Sequence, residues 1–461
     1  MNRILEINGI ISKIVWGWPM IILLLGTGVL LTIITKGIII TKTKIIFKNT
    51  IMQVFGRGNA GKGELTPFQA VSTALAATVG TGNIAGVALA IAVGGPGAVF
   101  WIWVSAILGM VTKFSEVILS IAYRIKNEKN GTYSGGPMYY ISRGAKMKWL
   151  ATLFALFASL AAFGIGNMTQ SNSIAQALKT QFNTDEYIVG IVITLLTAVV
   201  VVGGIKRIGT FTEKLVPIMA LFYIMGSLAV IFIKFNQLGN AFGLIFSSAF
   251  SGTAAVGGFA GSSFIIAIEA GISRGVFTNE AGLGSGPIAH AAAKTDHPVR
   301  QGMWGIFEVF VDTIVICTMT ALVVIVSGKW DSGIKGAALT TEAFNSVISG
   351  GGIIVSVGLT LFAFSTIIGW YYYGERSFEF LVGEKYSKYY KYVYIPFIFV
   401  GAIGGLKEIW EITDTLNGLM AIPNLIGVVL LSGVVVRLVK DFFKNPDRIR
   451  ESEDEYKHLL K

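Results

Sequence analysis

The chain contains a series of apolar runs that are each close to the length an α-helix needs to cross a lipid bilayer, about 20 residues. Such runs occupy residues 18–34, 149–162, 188–202, 215–233, 309–326 and 419–436. They lack the alternation of polar and apolar residues that a β-barrel requires. Because lipid offers no hydrogen-bond partners, the backbone within each run must satisfy itself as a helix. The pattern predicts an all-α membrane protein.

Composition and charge placement support this prediction. The chain is 53% hydrophobic and only 14% charged, so it has too few polar residues to cover a water-soluble body of 461 residues. The net charge is +11, but the basic residues lie between the apolar runs rather than along one face. Nucleic acid is therefore not an expected partner, whereas membrane lipid is. The basic segments are 36–62, 123–148, 204–214, 274–300, 376–391 and the tail after residue 437.

These basic segments occur in every second connection, which predicts about eleven spans with the amino terminus outside and the carboxyl terminus in the cytoplasm. We expect one leading helix and then two units of five. The predicted boundaries are 1–40 for the leading helix, 41–65 for a cytoplasmic amphipathic linker, 66–235 for the first repeat, 236–438 for the second and 439–461 for a cytoplasmic tail. A unit with an odd number of helices inverts the orientation of its neighbour, so the two repeats would have opposite orientations.

The most informative motif is AATVGTGNIAGV at residues 76–87, where glycines and polar side chains interrupt an apolar helix. Backbone that unwinds in the membrane is tolerated only where it lines a cavity or binds a ligand. A close-packing surface of small residues is the alternative interpretation. The second repeat has a matching motif, GGFAGSS at 257–263. Two broken helices in corresponding positions predict a binding site between the repeats.

The chemistry of such breaks suits an amino acid and a cation. Free amides at the start of a half-helix bind a carboxylate, and released carbonyls bind an ammonium group or sodium. Ser365 and Thr366 add adjacent hydroxyls in an apolar run. Uncharged oxygen ligands suit a monovalent cation that must also leave. Local bonding of these hydroxyls to their own helix is the alternative.

Four segments together resemble the alanine or glycine:cation symporter family. They are TPFQAVSTALAATVGTGNIAGVALAIAVGGPGAVFW at 66–101, NGTYSGGPMYYI at 130–141, RGVFTNEAGLGSGPIAHAAA at 274–293 and AFSTIIGWYYYGE at 363–375. The resemblance covers nearly the whole chain. It implies the 5+5 inverted-repeat fold of the sodium-coupled leucine transporter, here with one extra leading helix. It also implies sodium-coupled symport of alanine and glycine by alternating access.

The resemblance implies roles for individual residues. The amides of Thr81 and Gly82 would hold the substrate carboxylate, and the carbonyl of Thr78 would meet the amine. Sodium would lie between the first and eighth core helices. Its implied ligands are the carbonyls of Ala76, Val79 and Phe362 and the hydroxyls of Ser365 and Thr366. The whole implied substrate site comprises Thr78, Val79, Gly80, Thr81, Gly82, Asn83, Gln170, Phe259, Thr366 and Trp370.

Three polar or aromatic positions keep more than one interpretation. Trp370 follows Thr366 by one helical turn and would fill the space that a larger substrate needs, or it anchors the helix at the membrane interface. Gln170 contacts the substrate or joins helices. Asp312 supports a second cation site with Asn83 or carries a proton in a proton-coupled symporter, and its alternative is a pairing with a neighbouring polar group.

Other classes of protein are not favoured. A channel needs a continuous polar lining. An enzyme needs a nucleophile with a base or a metal cluster, and His290, His297 and His458 lie outside the predicted spans. Residues 277–293 are expected to form a cytoplasmic gate or short amphipathic helix. Cys317 has no disulfide partner, since it is the one cysteine of the chain. We expect a multi-pass cell-membrane protein with Na⁺ as the co-transported ion, no organic cofactor and no obligatory protein partner.

Overall fold

The computed structural model describes residues 2–54, 61–127, 131–250, 264–404, 407–450 and 452–460. These residues are mainly helical. The helices up to residue 250 are α1 (Asn2–Val15), α2 (Trp18–Ile34), α3 (Ile38–Thr41), α4 (Thr43–Asn49), α5 (Pro67–Thr78), α6 (Val87–Gly94), α7 (Gly97–Tyr123), α8 (Pro137–Arg143), α9 (Lys148–Phe163), α10 (Thr169–Phe182), α11 (Glu186–Val201), α12 (Gly204–Ile233) and α13 (Leu238–Phe250). A short hairpin, β1 (Ile125–Lys126) and β2 (Tyr133–Ser134), follows α7.

The helices from residue 264 onward are α14 (Phe264–Asn279), α15 (Gly286–His290), α16 (Pro298–Val309), α17 (Thr318–Val326), α18 (Gly336–Asn345), α19 (Gly352–Val382), α20 (Glu384–Ser387), α21 (Tyr390–Ala402), α22 (Lys407–Leu430), α23 (Ser432–Lys444) and α24 (Asp454–Lys457). Three π-helical segments connect α5 to α6, α9 to α10, and α16 to α17. They are Gly82–Gly86, Gly164–Met168 and Phe310–Cys317.

Within the described residues, seven helices are long and apolar enough to cross a membrane, or eight if one bent pair is a single span. The shorter α11 is also apolar. Helices α11 and α12 expose large apolar side chains such as Leu195, Val199, Leu221 and Met225. An apolar surface of this kind suits lipid rather than water. The predicted number of about eleven spans stays a prediction, because residues 251–263 are among those that the structure does not describe.

The bent pair consists of α5 and the segment from Gly82 to Gly94. The helix axis bends by 53° between these two parts. Helix α5 starts sharply because Thr66 caps it: its hydroxyl accepts from the Gln69 amide, and the Gln69 side chain accepts from the Thr66 amide. It ends at Val79, whose backbone is extended. The first predicted break is therefore present, at residues 79–81.

Two of the basic segments that were predicted as connections between spans are helical in part. Residues 204–214 form the first turns of α12. Of the segment 274–300, the first residues complete α14, and much of the rest is buried. The leading segment, predicted as one helix over residues 1–40, contains the separate helices α1 and α2, the second of which begins at Trp18. The second predicted break at 257–263, with Phe259, lies outside the described residues.

Candidate functional site

A small cavity lies at the break between α5 and the π-helical segment Gly82–Gly86. Its walls come from the break itself, from the second π-helical segment, and from α10, α14, α19 and α22. The lining residues are Ala77, Thr78, Gly80, Thr81, Gly82, Ile165, Gln170, Phe277, Glu280, Thr366, Trp370 and Asn417. The cavity has a volume of about 20 Å³, which is room for about one water molecule. An amino acid therefore fits only after the walls move apart.

The five oxygens predicted to bind sodium meet on one side of this break. The Ser365 hydroxyl lies 3.0 Å from the Ala76 carbonyl and 2.8 Å from the Phe362 carbonyl. The Thr366 hydroxyl lies 3.4 Å from the Val79 carbonyl and 3.0 Å from the Phe362 carbonyl. The hydroxyls thus bond to their own helix, as the alternative interpretation held, and also reach across to the broken helix. This set of uncharged, buried oxygens fits a sodium ion.

The predicted substrate residues lie around the opened backbone. The Gly80 amide donates to Asn83 Oδ1 at 2.9 Å, and the Thr81 amide points to Gln170 Oε1 at a long 3.5 Å. Gln170 is only 3% exposed and lines the cavity. Its neighbour Asn167 instead donates to the Tyr394 carbonyl and so joins two helices. Of these two amide side chains, Gln170 therefore faces the cavity, whereas Asn167 joins two helices.

Trp370 lies in the cavity wall with Thr366 and is 1% exposed. This burial argues against the interfacial-anchor interpretation, because an anchor has its ring at the membrane surface. Its Cβ would be 2.2 Å from a Cβ added to Gly166, so the absence of a side chain at Gly166 gives the tryptophan its space. The ring of Tyr373 meets the indole edge to face, with centroids 5.6 Å apart.

Asp312 is fully buried in the third π-helical segment, beside the break. Asn83 Nδ2 donates to its Oδ1 at 2.6 Å, and the Thr313 hydroxyl donates to its Oδ2 at 2.7 Å. Both carboxyl oxygens have a polar partner, so the pairing that the sequence offered as an alternative is present. A cation-binding or proton-carrying role for Asp312 stays a prediction.

Sequence reasoning missed five cavity residues, which are Ala77, Ile165, Phe277, Glu280 and Asn417. Phe277 and Glu280 were expected in a cytoplasmic gate or short amphipathic helix at 277–293, and both line the cavity. They were not assigned to the site because the nearby Arg274 and Arg300 were counted as charges of a connection between spans. The signal that pointed to a site was present in the acidic residue itself, since Glu280 stands between Asn279 and a run of small residues. A lone acid beside glycines in a membrane protein indicates a functional position.

Close to the cavity lies a buried charged cluster. Lys113 Nζ of α7 contacts Glu308 Oε1 of α16 at 3.1 Å, and both side chains have no exposed area. His290 Nε2 of α15 contacts Glu308 Oε2 at 2.9 Å, and its Nδ1 lies 2.8 Å from Gln301. All four side chains are 0 to 1% exposed. The cluster therefore joins elements from both halves of the chain.

A broken helix facing a hydroxyl pair, with a small cavity at the break, defines a secondary transporter with the leucine-transporter fold. MhsT, solved in complex with L-phenylalanine, supports this fold, with a TM-score of 0.59, 14% sequence identity and coverage of 87% of this chain and 96% of that one. The chain belongs to the sodium:alanine symporter family, whose model matches residues 1–457. The predicted family and fold are confirmed, and the protein is a multi-pass, cation-coupled amino-acid symporter.

Several named relatives align with this chain over nearly their full length. The sodium/alanine symporter AgcS of Methanococcus maripaludis is 47% identical, over 96% of this chain and 97% of that protein. The probable sodium/glutamine symporter GlnT of Bacillus subtilis is 38% identical, over 96% and 91%. The putative sodium/proton-dependent alanine carrier protein YrbD of the same species is 36% identical, over 94% and 91%. Their names differ in substrate and ion, so family membership alone fixes neither.

Proposed function

We propose that this protein couples the uptake of alanine and glycine to the entry of sodium. The observation that carries the proposal is the meeting of five uncharged oxygens, from α5, its break and α19, directly beside a cavity that Trp370 limits in size. The cation and the substrate would share the same opened backbone. Binding of one therefore organises the site for the other, which is how symport couples two solutes.

The roles within the site follow from its polarity. The amides of Thr81 and Gly82 begin the second half of the broken helix, where unpaired N–H groups and the helix dipole favour the substrate carboxylate. The Thr78 carbonyl, at the end of α5, faces the ammonium group. Gln170 is placed to contact the carboxylate side, because its side chain already reaches the Thr81 amide. Sodium binds to Ala76, Val79, Phe362, Ser365 and Thr366.

Size selection rests on Trp370 and the narrow cavity. The indole is held between the Gly166 backbone and Tyr373 and is almost completely buried. When the other walls move apart to admit a substrate, this buried indole leaves room for hydrogen or methyl side chains and excludes branched ones. We further propose that the chain lies in the cell membrane with its amino terminus outside and its carboxyl terminus in the cytoplasm. The basic segments 36–62, 123–148 and 376–391 and the basic tail support that orientation.

The test uses purified protein in proteoliposomes and measures alanine uptake against sodium concentration, with potassium and a pH gradient as alternative driving ions. Uptake that needs sodium is the expected result. Thr366→Ala removes one proposed ligand and is expected to raise the sodium concentration for half-maximal uptake about tenfold or more, since a lost contact to a charged group costs about 1.5–3 kcal/mol.

Thr360→Ala is the matched control. Thr360 lies on the same helix, and its hydroxyl bonds to the Ser356 carbonyl of that helix. Its sodium dependence is expected to stay within about twofold of the wild type. Equal sodium dependence of the Thr366 variant and the wild type would contradict the cation assignment.

A further inference from the structure

Glu280 has an unusual backbone for its residue type. It follows α14 directly, at the position where helices often end on glycine, and its φ is +54°. The described residues contain three other non-glycine positions with positive φ, Lys36, Lys146 and Asn183, and all three are exposed. Glu280 is only 3% exposed. A strained backbone that carries a buried acid indicates that the side chain itself is needed there.

The Glu280 side chain fixes the tryptophan of the cavity wall. Its Oε1 accepts a hydrogen bond from the indole Nε1 of Trp370 at 3.0 Å. Its Oε2 accepts from the Ser285 hydroxyl. The glutamate is thereby held by the 280–285 loop at one end and holds the indole at the other. An indole has one N–H donor, so this bond selects one ring orientation among those that would fit between Gly166 and Tyr373.

We propose that Glu280 is a positioning residue that sets the size limit of the substrate pocket by fixing the orientation of Trp370. This inference rests on the proposed function, since it concerns how alanine and glycine are distinguished from larger amino acids. Because its Oε1 accepts from the indole N–H and its Oε2 accepts from Ser285, we assign Glu280 a role that acts through Trp370. The contact also connects two elements of the predicted second repeat, because Glu280 follows α14 whereas Trp370 belongs to α19.

Two substitutions separate position from charge. Glu280→Gln removes the charge but keeps an oxygen at the same reach for the indole N–H. Glu280→Asp keeps the charge but is one methylene shorter, and aspartate tolerates the left-handed backbone. The measurement is inhibition of sodium-driven alanine uptake by glycine, 2-aminobutyrate and valine in proteoliposomes. Each inhibition constant is divided by that for unlabelled alanine.

We expect the Gln variant to keep the wild-type ratios within about twofold. In the Asp variant and in Glu280→Ala, the preference for alanine over 2-aminobutyrate and valine should fall about tenfold, because the lost hydrogen bond frees the indole. Ser285→Ala leaves the glutamate in place and loosens it, so a fall of about threefold is expected. That variant also gives an answer if Glu280→Ala does not fold.

The proposal is overturned if the Asp and Ser285 variants discriminate like the wild type. It is equally overturned if the Gln variant loses affinity for all amino acids alike while the Asp variant is normal, since charge would then be the relevant property. A second readout does not depend on the substrate. It is the fluorine NMR spectrum of protein that contains 5-fluorotryptophan. The Trp370→Phe variant identifies the Trp370 resonance among those of the nine tryptophans. This resonance should shift in the Asp variant and not in the Gln variant. If the wild type transports neither alanine nor glycine, that shift still tests the positioning role.

Discussion

Asn83 shows how a single side chain holds an unwound segment open. Its Oδ1 accepts from the Gly80 amide, and its Nδ2 donates to Asp312. One amide thus satisfies backbone that the break has freed and also connects it to the third π-helical segment. The carbonyl of Asn83 accepts from the Thr320 hydroxyl at 2.8 Å. Freed polar groups in a membrane protein require such partners, because lipid supplies none.

Asp312→Asn separates the sodium proposal from the proton alternative. Asparagine at this position still accepts from Asn83 but cannot exchange a proton. If sodium drives transport, the variant keeps its dependence on a sodium gradient. Its apparent alanine affinity should fall about threefold to tenfold, since a neutral acceptor is weaker than a charged one by roughly 1 kcal/mol.

The measurement is uptake driven by a sodium gradient alone and by a pH gradient alone, for the wild type and the variant. Wild-type uptake driven by the pH gradient and abolished in the Asp312 variant would contradict the sodium proposal. It would assign the coupling proton to this carboxyl group.

At the scale of elements, the broken helix α5–α6 is the part that sequence predicted best. Glycines at 80, 82 and 86 with Asn83 gave the break directly, and the hydroxyls of α19 gave its partner. Two features were not accessible in the same way. Positive charges at the start of α12 were taken for a loop, although a helix that leaves the membrane can carry them. Glu280 was expected in a cytoplasmic gate or short amphipathic helix, and its contact with Trp370 spans 90 positions of the chain.

Gly80→Ala tests whether the break must lie against α19. A Cβ at Gly80 would be 2.6 Å from the Thr366 hydroxyl and 3.5 Å from Gln170 Oε1. Threonine has few rotamers in a helix, so the hydroxyl cannot move without leaving the Val79 and Phe362 carbonyls. We expect at least about a tenfold loss of sodium-dependent uptake, as for the removal of a ligand contact.

Gly86→Ala is the matched control for this substitution. Gly86 belongs to the same broken helix, and a Cβ there meets nothing within 4 Å. Its uptake should equal that of the wild type. If both alanine variants transport alike, close contact between the break and Thr366 is not required.

At the scale of the whole molecule, the buried cluster around Lys113 and Glu308 joins the two halves of the chain. Helix α7 carries the lysine and α16 the glutamate, and α15 adds His290. Gly286 leaves space for the lysine side chain to reach the glutamate, because a Cβ at position 286 would be 2.7 Å from Lys113 Nζ. Removing one partner of a buried ion pair leaves an unpaired charge, which costs about 3–5 kcal/mol.

Lys113→Met should therefore lower the melting midpoint of the detergent-purified protein markedly. Adding Glu308→Gln to it removes the unpaired charge while keeping an acceptor for His290, so the double variant should recover most of the loss. Lys179→Met is the control, because Lys179 and Glu186 form an ion pair with 53% and 21% of their side chains exposed, and such a pair contributes under about 1 kcal/mol. For all three variants, the melting midpoint is determined from the fraction of monomer that remains after heating. If Lys113→Met melts at the wild-type temperature, or the double variant melts lower still, the pair does not join the two halves energetically.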